Sequence, residues 1–371
     1  MFKHFKIIAI LFFSILCFGF ANGQSLKIGT NGQDFNLVGI DGNHYTLKSF
    51  SKADILVIIF MANHCPTSQA YEGRIMKLVD DYKSKGVRVV GISSNNPDAL
   101  RLDEYGYTDI GDSFEDMKQR AKELDYNFPY LYDGDKQIVA KAYGAIATPH
   151  VFVLDKERKL RFAGRIDDSE NINKVTTHDT RNAIDALLAG KKVLVETTKV
   201  FGCSIKWISK QESANKTLER MNAEKVEVSM IDSAGIIDIV KNKSENLRLI
   251  NFWATWCAPC VAELPELVEI NRNFRKRAFE MVTISLDSPN KNDQVLKVLT
   301  KSYASTKNYH FNSDDKYGLI DAVDKDWPGS LPYTILVKPN GEILYKKSGT
   351  VDPAELRKVI VEYLGRYWEH L

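Results

Sequence analysis

The chain has 371 residues, with 50 Lys and Arg against 48 Asp and Glu and a formal charge of +2. So balanced a charge leaves no electrostatic footprint for nucleic acid or an anionic membrane surface. The length exceeds what one hydrophobic core serves, so two domains are expected, and five cysteines are too few to staple a fold of this size and point to cysteines kept for chemistry.

Met1 to Lys6 carry Lys3 and Lys6 and no acid, an apolar run follows from Ile7 to Phe20, and Ala21-Asn22-Gly23 offers small residues. This pattern reads as a secretory signal peptide over residues 1–23, which places the protein in the periplasm or otherwise outside the cytoplasm. A membrane span needs about twenty apolar residues, so an uncleaved N-terminal anchor is the alternative. Cys17 follows a bulky Leu16 rather than the small residue of a lipoprotein signal and is expected to leave with the leader. Cys65, Cys203, Cys257 and Cys260 remain, and four cysteines allow three pairings.

The first half, 24–207, opens with a hairpin from Phe35 to Leu47 around Asp41-Gly42-Asn43. The apolar run Ile55 to Ala62 predicts a buried strand that reaches Cys65, and Tyr71, Ile75, Met76 and Leu78 have helical spacing. A strand from Val87 to Ser93, a polar insert from Asn95 to Asn127, Ala147-Thr148-Pro149, strands Val151 to Asp155 and Leu160 to Gly164, and a closing helix from Thr180 to Leu188 follow. The connection between halves is placed at about 191–225, with an exposed helix from Ser209 to Met221.

The second half, 208–371, repeats the order. A short buried strand, Leu249 to Ala254, runs into Trp256-Cys257-Ala258-Pro259-Cys260, and Val261, Leu264, Leu267 and Val268 continue on one helical face. Strand Met281 to Asp287, Leu331-Pro332, strands Thr334 to Val337 and Ile343 to Lys346 around Pro339-Asn340-Gly341, and a helix from Pro353 to Leu364 complete it. Strand, helix, strand, hairpin and closing helix give a mixed sheet with helices on both faces.

Cys257 falls at a helix N-terminus, where unpaired N–H groups and the helix dipole favour an anion. A pKa lowered from about 8.5 to about 7 would raise the thiolate fraction at neutral pH from roughly 3% to roughly half. Cys257 is therefore the expected attacking sulfur, and Cys260, one turn on and deeper, the resolving one. A structural zinc site would need two more ligands, and no second paired motif supplies them. Glu263, one turn after Cys260, is positioned to share in proton transfer; the competing reading is a solvated Glu on the helix face.

Asn251 to Cys260 resembles the active site of thioredoxin-fold thiol-disulfide oxidoreductases, most closely the extracytoplasmic TlpA/ResA-like branch. The resemblance extends to Pro265 within the helix and to Leu331-Pro332-Tyr333-Thr334, similar to the segment whose cis-proline faces the disulfide. It implies that Pro332 shapes the binding face, that Trp256 lies on its rim, and that Leu331, and Thr148 before Pro149 in the first half, offer backbone groups to an extended substrate. Asn251 stands where cytoplasmic thioredoxins carry a buried Asp, which leaves proton handling to water or Glu263. The implied fold class is α/β, with two tandem thioredoxin-like domains, each a mixed central sheet flanked by helices.

Asn63-His64-Cys65-Pro66-Thr67-Ser68, with Phe128-Pro129-Tyr130, Tyr143-Gly144-Ala145, Gly164 to Asp168 and Gly202 to Trp207, resembles the AhpC/TSA-related, peroxiredoxin-like proteins with an Asn-His-Cys-Pro motif. Ser68 stands where a second cysteine would. True peroxiredoxins carry Thr or Ser three residues before the reactive Cys and Pro seven before it; Ala62 and Ile58 occupy those positions, which argues against peroxide chemistry. Cys65 still has the helix N-terminus, and His64 beside it supplies charge when protonated. The competing reading makes Cys65 inert and His64 a surface residue. Cys203 is either a partner that folds back toward Cys65 in a reversible disulfide reducible by Cys257, or a solitary buried thiol.

These residues describe an exported thiol-disulfide oxidoreductase acting through Cys257 and Cys260 on a disulfide-containing protein or a small thiol-disulfide. Two other readings stay open: a thiol peroxidase with Cys65 recycled by the second domain, and a redox-silent first domain that recruits a client or a membrane reductase. No flavin or nicotinamide fingerprint is present, so no cofactor is expected and the electron donor is an external thiol reductase. The scattered histidines suggest no metal site.

Overall fold

The computed structural model describes residues 26–314 and 317–367. The leader pattern and Cys17 lie outside the described residues. The described chain forms two mixed sheets built to one plan, the tandem thioredoxin-like α/β architecture expected from the sequence.

In the first half the order is β1 (Leu37–Gly39), β2 (His44–Tyr45), β3 (Ile55–Met61), α1 (Pro66–Tyr82), β4 (Val87–Ser93), α2 (Phe114–Glu123), β5 (Tyr130–Tyr132), α3 (Ile138–Tyr143), β6 (Ala147–Thr148), β7 (His150–Leu154), β8 (Leu160–Gly164), α4 (Asp179–Leu188) and β9 (Cys203–Ser204). The strand order is β2-β1-β5-β4-β3-β7-β8, and β9 pairs separately with β6. All of β3 is buried. Successive side chains of a strand point to opposite faces, so Val57 and Ile59 enter one core with Tyr71 and Ile75 of α1, while Leu56, Ile58 and Phe60 enter the other with Tyr143.

The second half carries α5 (Gln211–Asn222), β10 (Ser229–Ile231), α6 (Ser233–Lys241), β11 (Leu247–Trp253), α7 (Ala258–Phe274), β12 (Phe279–Ser285), α8 (Asn292–Lys301), β13 (Lys307–Phe311), α9 (Tyr317–Val323), β14 (Tyr333–Val337), β15 (Ile343–Ser348) and α10 (Pro353–Leu364). Its order is β10-β13-β12-β11-β14-β15. In each sheet the strand leading to the cysteine is parallel to the next strand in sequence, β3 with β4 and β11 with β12, and antiparallel to the strand following the proline, β7 or β14. Phe60 pairs with His150 and Phe252 with Tyr333, so Cys65 with Pro149 and Cys257 with Pro332 occupy matching corners. Both the Thr148–Pro149 and Leu331–Pro332 bonds are cis.

The stretch expected as the connection is packed rather than free over much of its length. Val193 and Ile205 enter the first cores, Thr197 bridges to Ala163, and Ala214 and Met221 bury one side of α5. Hydrogen bonds also join the halves directly. Lys276 pairs with Asp103, Arg277 donates to the Gly106 carbonyl, and Arg366 donates to both carboxylate oxygens of Asp109.

Candidate active sites

Cys257 is the N-cap residue of α7, and the backbone N–H of Cys260 points at its sulfur at 3.3 Å. Pro259 sits in the first turn, where a missing N–H leaves nothing unpaired. The two sulfurs are joined in a disulfide. Cys257 retains 6% of its accessible surface and Cys260 none, so the first sulfur lies at the rim and the second beneath it. Trp253 and Ala254 are buried against the pair, with Leu331 packed on the same cluster. Pro332 is buried at the head of β14 and Trp256 is exposed beside Cys257.

The loop ahead of Cys257 is held by a residue the sequence did not single out. Buried Asp287 accepts the Thr255 backbone N–H at 2.8 Å and the Thr255 hydroxyl at 2.6 Å, and the Ser285 hydroxyl donates to it at 2.7 Å. In the first half the position matching Asp287 is Asn95, and the carboxylate comes instead from Asp112, which accepts the Asn63 backbone N–H at 2.8 Å and the Asn95 amide. Each cysteine loop is thus tied down two residues before its sulfur by a buried carboxylate. The end of the strand ahead of Asp287 offered a sequence signal for it, whereas Asp112 lay inside a stretch read only as a polar insert.

Glu263 corrects the solvated reading: it is buried. Its Oε1 accepts from the Asn251 amide at 3.1 Å and its Oε2 from the Val351 backbone N–H at 3.1 Å. Asn251 also donates to the Thr334 hydroxyl at 2.9 Å. Burial pushes the carboxyl up to about 7, and the two hydrogen bonds only partly oppose it. Among the described residues no cation offsets the burial, whereas Asp112 in the other half has His64 beside it.

Cys65 caps α1 in the same way and is wholly buried. Its thiol donates to the Thr148 carbonyl at 3.2 Å, and the Ser68 N–H points at its sulfur at 3.4 Å. His64 is buried too, which overturns its reading as a surface residue: its Nδ1 faces Asp112 Oδ2, and the Asn95 amide donates to that carboxylate at 2.8 Å. Burial opposes the imidazolium, but Asp112 outweighs it and the His64 pKa is raised. Burial also works against a Cys65 thiolate; the hydrogen bond from Cys203 and the charge of His64 prevail and lower it to about 6.

Cys203 is half-buried rather than a solitary core thiol. It pairs with Thr148 across the β6–β9 ladder, and its hydrogen bond to Cys65 pushes its own thiol well up. Thr148 therefore departs from its expected role, because its carbonyl is engaged by Cys65 and its strand by Cys203, inside the chain's own fold. Pro149 is buried beside it. The first site is closed by its own strand, and the second has no such cover among the described residues. Nor do the described residues include any group of three or more His, Cys, Asp or Glu placed to hold a metal ion.

The sequence profile of the AhpC/TSA family matches this chain twice, over residues 28–163 and 232–346. The thiol-disulfide oxidoreductase ResA of Oceanobacillus iheyensis is 35% identical over 95 residues, covering 26% of this chain and 45% of that protein. ResA of Bacillus subtilis strain 168 is 26% identical over 140 residues, covering 38% of this chain and 67% of that one. A crystal structure of a hypothetical protein from Sinorhizobium meliloti 1021 is 37% identical, covers 50% of this chain and 97% of its own, and has a TM-score of 0.45. The match spans less than half the length of the Oceanobacillus relative. With its two matched regions covering well over half its length, the chain belongs to the AhpC/TSA family.

Proposed function

We propose that this protein is a thiol-disulfide oxidoreductase whose working couple is Cys257 and Cys260. The Cys257 thiolate attacks a substrate disulfide, one substrate sulfur leaves, and a mixed disulfide forms. Cys260 then loses its proton, attacks Cys257 and releases the second substrate sulfur. The products are a reduced substrate and the Cys257–Cys260 disulfide, and an external dithiol returns two electrons and two protons to the couple.

The observation that carries this reading is a disulfide at the mouth of α7, with its inner sulfur one turn from a buried carboxyl poised near neutrality. A group with pKa near the working pH is the efficient choice for moving the Cys260 proton. Leu331 packs against the couple and Trp256 stands exposed beside it, which fits an extended protein substrate laid along the Pro332 edge. The leader pattern at Met1 to Gly23 supports an extracytoplasmic setting, and the relatives named ResA support the reaction class. Among the described residues no helix is long and apolar enough to cross a membrane.

The reading is tested by following reduction of a disulfide-bonded protein with excess dithiol. Cys257→Ser is expected to fall to the uncatalysed rate. Wild-type turnover in that variant would end the assignment.

A further inference from the structure

The first half contains two thiols, on segments that the β6–β9 pairing brings together, that the reaction above does not use. We propose that Cys65 and Cys203 are a second redox couple in which Cys203 is the sulfur exchanged with external thiols and disulfides, and Cys65 is the buried sulfur that leaves or closes the bond. This goes beyond the Cys257–Cys260 reading and does not rest on it.

Four observations place the roles. The β6–β9 register sets Cys203 opposite Thr148, whose carbonyl accepts the Cys65 thiol, so strand pairing itself brings the two sulfurs together. Gly202 permits that approach: at φ +133° it lies so close that a Cβ would stand 2.2 Å from the Thr148 oxygen. Cys65 has no accessible surface, whereas Cys203 is half-buried between exposed Gly202 and Ser204. Finally, the surroundings of Cys65 suit a leaving thiolate, with the Ser68 N–H, the α1 N-terminus and the His64–Asp112 pair around it.

The chemistry follows from who can be reached. Starting from the Cys65–Cys203 disulfide, one thiolate of an external dithiol attacks Cys203 Sγ. A bond forms between the two sulfurs, the Cys65–Cys203 bond breaks, and its electron pair leaves on Cys65 as a thiolate. The dithiol's second thiolate then attacks its own sulfur in the mixed disulfide and releases Cys203, which takes a proton. Two electrons have passed from the dithiol, which ends as a disulfide, to the couple; of the dithiol's two protons one goes to Cys203 and the other to solvent while Cys65 stays a thiolate, and exchange with a small disulfide runs the same steps backwards. A good leaving thiolate speeds this direction, and a stabilised reduced form makes a couple an electron acceptor. The reductant is external because the contacts that tie the thioredoxin-like core of the second half to the first, Lys276 to Asp103, Arg277 to Gly106 and Arg366 to Gln69 and Asp109, gather at the Phe274 end of α7, away from Cys257. Seventeen helical residues separate those ends by about 25 Å.

The test uses the full chain carrying Cys257→Ser and Cys260→Ser, equilibrated in buffers of graded ratio of glutathione to glutathione disulfide, quenched in acid, alkylated and mapped by peptide mass spectrometry. A Cys65–Cys203 cross-linked peptide is expected to appear in one two-electron transition. Adding Cys65→Ser is expected to leave glutathione on Cys203, and adding Cys203→Ser to leave Cys65 without an adduct. The proposal is overturned if both thiols stay free in buffers that fully bridge Cys257 and Cys260 in the wild type, or if glutathione settles on Cys65 and not on Cys203. Circular dichroism of each variant checks that the fold is retained, and Cys65→Ala replaces Cys65→Ser if it is not. Because the second couple is absent throughout, either result leaves the Cys257–Cys260 assignment to its own test.

Discussion

The Asn251 amide donates to the buried Glu263 carboxylate at 3.1 Å, one helical turn past Cys260. In the proposed mechanism that contact governs how protons move at the second site. It puts a neutral amide, not a second acid, on the strand, and leaves Glu263 as the titrating group beside the inner sulfur. Replacing Glu263 by Gln keeps the shape but leaves one accepting oxygen, so one of its two donors, the Asn251 amide or the Val351 N–H, loses its acceptor there. The expected result is a resolution step slower by about 10²-fold, the lower range for general acid–base catalysis, together with loss of an inflection near pH 7 in the rate profile. A purely structural role would lower the rate at every pH and leave the inflection in place.

The same residue makes a stability prediction with a definite sign. The folded-state pKa of Glu263 is raised to about 7 from an ordinary value of 4.5, so between these pH values the unfolded chain gives up its proton while the folded one keeps it. Stability from this group is therefore present below about pH 4.5 and lost as pH rises toward 7. Glu263→Gln mimics the protonated acid at every pH. Relative to wild type, its urea midpoint is expected to climb between pH 4.5 and 7.5; an unchanged difference would show that the carboxyl titrates normally.

In the first half, Asp112→Asn removes the charge that keeps His64 protonated. Without it, burial favours neutral imidazole, and the Cys65 thiolate loses one of the two interactions that lower it most. Titrating thiolate absorbance in a chain lacking Cys257 and Cys260 is expected to show the Cys65 midpoint move upward from about 6. A midpoint that stays put would mean that His64 does not act on the sulfur.

Glu72 accepts from Arg120 Nε at 3.1 Å and Nη2 at 2.7 Å, and from the Tyr126 hydroxyl at 2.7 Å, with both charged side chains nearly sealed from solvent. Glu72→Gln strands the guanidinium and is expected to cost about 3–5 kcal/mol, whereas replacing both partners by apolar residues of similar size costs far less. Urea unfolding of the single and double variants separates these outcomes.

The features legible in the sequence were those written locally. Ile55 to Ala62 and Leu249 to Ala254 read as buried strands because they are short apolar runs, and the observed strands, Ile55–Met61 and Leu247–Trp253, differ from them by one or two residues at the ends; in the Cys-Ala-Pro-Cys segment Pro259 fits the first turn of the helix. What escaped depends on distant partners. Asp112 meets His64 from 48 positions away, Val351 reaches Glu263 across 88, and nothing near Glu263 marks it as buried. The two-residue strand at Cys203 has no period to read, and only its pairing with Thr148 shows that the first site covers itself. Ile58 is buried within β3 and Ala62 just past its end, and neither supplies a hydroxyl beside Cys65.

The most direct test of the central claim is to trap the intermediate. Cys260→Ser keeps the attacking sulfur and removes the resolving one, so incubation with a disulfide-bonded protein followed by acid quench and peptide mapping is expected to give a mixed disulfide on Cys257. An adduct on any other cysteine, with Cys257 left as a free thiol, would contradict the account.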